Sequence, residues 1–125
     1  MRTENVMYFT DKEEDFANLL IEIGTKRNVA KVLVFLANTP EATSRAIERG
    51  TDLRQPEVSI AMRQLDPFDW IDEIEEKKPG KGRPNKVYSL KVGFKDIIAH
   101  FEKEQKKEID DGIVSIKRVK ELVHD

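Results

Sequence analysis

The side chains best suited to chemistry in this 125-residue chain are cationic and polar ones gathered on one predicted helix. Val58, Ala61, Met62 and Leu65 recur at i, i+3, i+4 and i+7, the spacing of an amphipathic helix. Turning that helix by 100° per residue with these four inward points Pro56, Ser59, Ile60 and Arg63 outward. Glu57 and Gln64 then sit at the border, and Arg54 and Gln55 at the exposed N-terminus. Guanidinium, amide, hydroxyl and methyl groups in such a row match the edges of bases. Arg suits the two acceptors of guanine, Gln suits adenine, and Ile can touch a thymine methyl. A solvated helix face is the plain alternative.

A second constellation is basic. Lys77, Lys78, Lys81, Arg83, Lys86 and Lys91 fall within fifteen residues that hold no acid. Just upstream, Asp66, Asp69, Asp72, Glu73, Glu75 and Glu76 fall within eleven residues that hold no base. The net charge of −2, from 22 Lys and Arg against 24 Asp and Glu, favours no polyanion, so what matters is where the charges sit. Pro79-Gly80-Lys81-Gly82-Arg83-Pro84-Asn85 breaks regular structure and marks a hairpin tip. Such a hairpin can lay lysines on phosphates while Arg83, between Gly82 and Pro84, enters a narrow minor groove. A flexible, soluble loop is the alternative.

Other chemistries find little support. The chain has no cysteine, which removes disulfides, thiolate metal sites and cysteine nucleophiles. His100 and His124 lack partners at metal-ligand spacing, Ser59 has no base beside it, and Gly80-Lys81-Gly82 falls short of a phosphate-binding loop. No enzyme activity, metal or cofactor is therefore expected. No apolar run approaches a signal peptide or a membrane span of about 20 residues, so a soluble cytoplasmic protein away from the membrane is expected.

The elements that would position these residues are mostly helical. Thr10 and Glu13 form a capping box ahead of Phe16, Leu19, Leu20 and Ile23, and Gly24 closes this first helix. Val29, Val32, Leu33 and Leu36 place a second helix from about Arg27 to Asn38-Thr39-Pro40. A short third helix starts at Thr43 or Ser44, buries Ala46 and Ile47, and ends at Gly50. The fourth begins at about Arg54 or Gln55 and is ended by Pro67. Pro56 in its first turn costs little there. Two short helices joined by a glycine-containing turn are a helix-turn-helix pattern. Extended segments follow, Trp70 to about Lys78 and Val87 to Val92, joined by the basic tip as a wing.

Taken together, Ala42 to Leu65, with Gln55-Pro56-Glu57-Val58-Ser59 opening the fourth helix, and Gly80 to Leu90, with Gly82-Arg83-Pro84-Asn85-Lys86-Val87-Tyr88, resemble winged-helix regulators of the MarR, ArsR and TrmB-like group, particularly small archaeal members without a separate effector domain. The likeness spans roughly residues 27 to 92. It implies sequence-specific DNA binding, usually as a dimer. Arg54 departs from the usual Ser or Thr cap, and Asp66-Pro67-Phe68-Asp69 replaces a short glycine turn.

From Gly93 onward Phe94, Ile97, Ile98, Phe101, Ile109, Ile113, Ile116, Val119 and Val123 trace an apolar stripe interrupted at Gln105 and weakened at Asp110-Asp111-Gly112. Either one helix bent near Gly112 or two helices fit it. Pairing of two copies would bury the stripe and set two recognition helices about 34 Å apart, whereas folding back onto its own domain is the alternative.

The expected fold is mostly α with a small β-hairpin wing. A winged helix-turn-helix domain occupies 1–92 and a helical dimerisation segment 93–125. The expected activity is regulation of transcription by binding double-stranded DNA, with 54–65 in the major groove and 77–86 on backbone or minor groove. The rival is a winged-helix module of the transcription machinery that binds protein without reading bases. No residue specifies a small-molecule effector.

Overall fold

A computed structural model describes residues 9–76 and 85–123. The chain divides into two compact units, Met1–Val92 and Gly93–Asp125. In the first, α1 (Asp11–Glu22) and α2 (Arg27–Ala37) precede a short strand β1 (Ala42–Thr43), followed by α3 (Ser44–Thr51) and α4 (Gln55–Leu65). A 3-10 turn at Asp66–Phe68 leads into β2 (Ile71–Glu76) and β3 (Asn85–Leu90).

The capping box forms as the sequence predicts. The Glu13 N–H donates to Thr10 Oγ1 at 3.1 Å, and the Thr10 N–H donates to Glu13 Oε1 at 3.0 Å. Glu13 is buried, and its other oxygen accepts from Asn38 Nδ2 at 3.2 Å, tying the start of α1 to the end of α2. Gly24, at φ 103°, ends α1 in a Schellman turn: the Thr25 N–H reaches the Leu20 carbonyl and the Gly24 N–H that of Ile21. The apolar stripe of α1 is only partly covered. Ala17 and Leu20 are buried, whereas Leu19 is 60% exposed and Ile23 39%, because α1 meets its neighbours along the line of Glu13, Ala17 and Leu20.

Helix α2 is buried on every side from Val29 to Leu36 and forms the centre of the core with Ile47, Val58 and Leu65. Each such side chain contributes about 1.5–3 kcal/mol through removal from water. Even Lys31 is inside, 8% exposed, its ammonium donating to the Thr51 carbonyl at the end of α3 at 3.3 Å. A cation is favourable at a helix C-terminus, where carbonyls lack intrahelical partners. Thr51, also buried, donates its hydroxyl back to the Ile47 carbonyl at 2.5 Å.

Thr43 proves to be the cap of α3, its Oγ1 accepting from the Ala46 N–H at 3.1 Å. Gly50 lies inside this helix and does not merely end it. A Cβ there would fall 2.7 Å from Cδ1 and Cζ of Phe35 and closer still to Cε1, so only glycine lets α3 lie against that ring.

The wing is part of a three-stranded antiparallel sheet in the order β1-β3-β2. Ala42 pairs with Tyr88 and Thr43 with Val87, while β2 pairs with β3 from Ile71–Leu90 to Glu76–Asn85. The sequence pattern shows the two hairpin strands but not β1. The second unit is a single continuous helix, α5 (Phe94–Val123), with no second helix beginning at Gly112. From Lys106 to Val123 every side chain is exposed, including Ile109, Ile113, Ile116 and Val119. No helix among the described residues is long and apolar enough to cross a membrane.

Candidate nucleic-acid interface

Helices α3 and α4 are joined by a tight turn in which Asp52 adopts a left-handed conformation (φ 59°, ψ 30°), Leu53 is buried and Arg54 is the N-cap of α4. Asp is one of the few non-glycine residues that enter this region readily, through local hydrogen bonding. Arg54 cannot cap with its own side chain. Instead its N–H donates to Glu57 Oε1 at 3.0 Å, half of a capping box that fixes the Glu57 carboxylate at the positive end of α4.

Val58, Ala61 and Leu65 are buried, and this orients the rest of α4. Arg54, Gln55, Pro56 and Arg63 are exposed, Glu57 and Ser59 half-buried, and Ile60 is 47% exposed. The outward row expected from helical spacing is therefore presented on one surface. Within it the Gln55 side-chain amide donates to Ser59 Oγ at 2.8 Å, a link the spacing permits but does not reveal.

At the hairpin base, sequence-separated charges meet across the strands. Glu73 lies opposite Tyr88, and Lys86 Nζ approaches Glu73 Oε1 at 3.8 Å. Lys91 contacts Asp69 at 2.5 Å and Asp72 at 3.8 Å. Its pKa is raised, chiefly by the hydrogen bond to Asp69. Burial, reinforced by the Glu73 charge and a hydrogen bond to it, pushes the Tyr88 phenol up to about 12. These pairs draw some of the basic run back onto the acidic one. Lys77, Lys78, Lys81 and Arg83 lie outside the described residues.

A cleft of about 110 Å³ lies between the end of α4 and the hairpin base, lined by Met62, Leu65, Asp66, Asp69, Ile71, Glu73 and Tyr88. Phe68 stacks on Trp70 beside it, with ring centroids 4.5 Å apart. Among the described residues no cluster of His, Asp and Glu is arranged to hold a metal ion.

A helix-turn-helix backed by a three-stranded sheet whose last two strands form a hairpin is a winged helix. No protein-family model matches the chain, and no curated protein matches its sequence. Solved structures do match. TrmBL2, an archaeal chromatin protein whose structure shows a novel mode of DNA binding, superposes with a TM-score of 0.64 at 17% identity. That match covers 90% of this chain but 40% of TrmBL2, so the chain spans about two fifths of that protein. A possible transcriptional regulator from Methanosarcina mazei Go1 gives a TM-score of 0.57 at 14% identity, covering 84% of this chain and 85% of its own. NMB1585, a MarR family regulator from Neisseria meningitidis, gives 0.50 at 20% identity, covering 88% and 77%. The fold is the winged helix of MarR- and TrmB-like regulators.

Proposed function

We propose that this protein is a sequence-specific, double-stranded DNA-binding transcriptional regulator. In this reading α4 enters the major groove and the basic hairpin of residues 77–86 lies on the backbone or in the minor groove. The observation that carries the proposal is the outward row Arg54, Gln55, Ser59, Ile60 and Arg63, presented by a helix-turn-helix whose opposite face buries Val58, Ala61 and Leu65 and leaves Met62 half-buried. In winged and related helix-turn-helix proteins this helix meets base edges with its N-terminal residues. The fold shared with the M. mazei and N. meningitidis proteins supports a regulatory role. The Glu57 carboxylate accepts the Arg54 N–H, which gives it a structural role at the start of α4.

The chain acts as a homodimer in this proposal, through the exposed apolar stripe of α5. Ile109, Ile113, Ile116 and Val119, each at least 50% exposed, are too many large apolar side chains to leave in water.

A gel-shift titration on the DNA upstream of the protein's own gene, with random-sequence competitor, tests the reading. Arg63→Ala should change preference among sequences, whereas Lys81→Ala should weaken binding to all of them and flatten its salt dependence. A dimer neutralising about 6 to 10 phosphates should lose about 10³ to 10⁵ in affinity between 50 and 200 mM salt. A second reading, a winged-helix module that binds protein, is favoured by β2, where Ile74 is 58% exposed among Asp72, Glu73 and Glu75. Equal, weak binding to every duplex would support it over base readout.

A further inference from the structure

Resting on the reading of α4 as the helix that enters the groove, we propose that Gln55, held by Ser59, reads an adenine, and that Ser59 is a positioning residue for it. Gln55, Ser59 and Arg63 fall at i, i+4 and i+8 and so form a single row along the outward face. Gln55 is the first residue of α4, where side chains of a recognition helix approach base edges.

A glutamine amide has two N–H donors and a carbonyl acceptor. One donor is spent on Ser59 Oγ at 2.8 Å. What remains is one donor beside one acceptor, on an amide whose rotation is restrained. In the major groove adenine offers the complement, an N7 acceptor beside an N6 donor. Guanine offers two acceptors, and its O6 would face the Gln55 carbonyl. Cytosine offers only a donor and thymine only an acceptor with a methyl group, so each leaves half of the amide unpaired.

The tether matters because an exposed glutamine is among the most conformationally free side chains, and fixing it on binding opposes affinity. Ser59 has already restricted that motion in the free protein. It also occupies the N–H that could otherwise turn toward a different base.

The test uses the full chain and duplexes selected from a randomised pool at one salt concentration. Affinity is then measured for all four base pairs at each position. The wild type should prefer A·T at one position per half-site by roughly 10- to 100-fold. Gln55→Ala should erase preference there and nowhere else, and Gln55→Glu should move it toward cytosine, whose N4 donor a carboxylate accepts. Replacing that adenine by 7-deazaadenine should weaken the wild type and leave Gln55→Ala unchanged. Ser59→Ala should reduce preference at the same position and at no other, and Ser59→Thr, which keeps the hydroxyl, should retain it.

Selection that yields preferred duplexes whose every position is indifferent to Gln55→Ala overturns the inference while leaving the helix as the reading element. A Gln55-sensitive position that is not A·T, or a Ser59→Ala effect spread evenly over all positions, overturns it as well. A wild-type pool with no preference at all overturns the groove reading, and this inference with it.

Discussion

Gly50→Ala adds one methyl group, and the structure says where it goes. Gly50 is buried in α3 against Phe35, a ring 1% exposed that also stacks on Phe9 with centroids 6.4 Å apart. The added Cβ would sit 2.7 Å from two ring carbons and closer to a third, whereas carbon atoms rest about 3.5–4.0 Å apart. The ring must therefore retreat by about 1 Å or more inside a close-packed core, or α3 must lift off α2. Overpacking of this kind costs about 1–3 kcal/mol, and a clash this deep belongs at about 3. Exchanging glycine for alanine in a helix returns up to about 1 kcal/mol, leaving a net loss of about 2. For a unit of this size that lowers the melting temperature by about 8–16 °C. Urea titration and calorimetry of Gly50→Ala, Phe35→Leu and the double variant measure it. Trimming the ring should relieve the clash, so the double variant should be more stable than the sum of the two single losses by about 1 kcal/mol or more. A Gly50→Ala protein as stable as the wild type, or strictly additive losses, would refute the packing argument.

Two other outcomes follow from features already described. Of the two tyrosines, Tyr88 should ionise near pH 12, and ultraviolet titration of the phenolate should lose this late step in Tyr88→Phe. Glu73→Gln should bring it only part of the way down, because burial is the larger cause. Since the folded-state value lies above the unfolded one of about 10, the stability tied to this proton is intact below pH 10 and is lost as pH rises toward 12. On α5, Ile113→Asp with Ile116→Asp should weaken self-association about 100-fold or more in sedimentation, because each chain would bring two unpaired carboxylates into the interface. An unchanged association constant would remove the stripe as the pairing surface.

The helices were legible in the sequence because their signals are local. Thr10 with Glu13, Gly24, and the i, i+3, i+4 spacing of α2 and α4 involve neighbours within two turns, and the outward row on α4 follows from the same periodicity. What was not legible depends on partners distant in the chain. β1 is two residues long and exists only through Tyr88 and Val87. The burial of Lys31 depends on the Thr51 carbonyl at the end of α3, twenty residues on, which accepts a hydrogen bond from its ammonium. Likewise, the separation of acids from bases along the chain gives no hint that Lys86 meets Glu73, which requires the hairpin register. At Gly112 the spacing allows one helix or two, and the structure has one. Glycine costs about 1 kcal/mol against alanine in a helix, and a 30-residue helix carries on through it.

The placement of β3 between β1 and β2 bears on the order in which the molecule assembles. The hairpin can close as soon as its own strands exist, since β2 and β3 are neighbours in sequence. The β1 pairing waits until every residue of the helix-turn-helix and the wing has been made, because its partner strand comes last in the unit. Contacts so far apart in sequence form late and slowly. During synthesis, then, α3 and α4 have no clasp on their entry side until β3 has left the ribosome. The two-residue strand is the last stitch in the first unit, and the helix-turn-helix gains its final support only once the hairpin is complete.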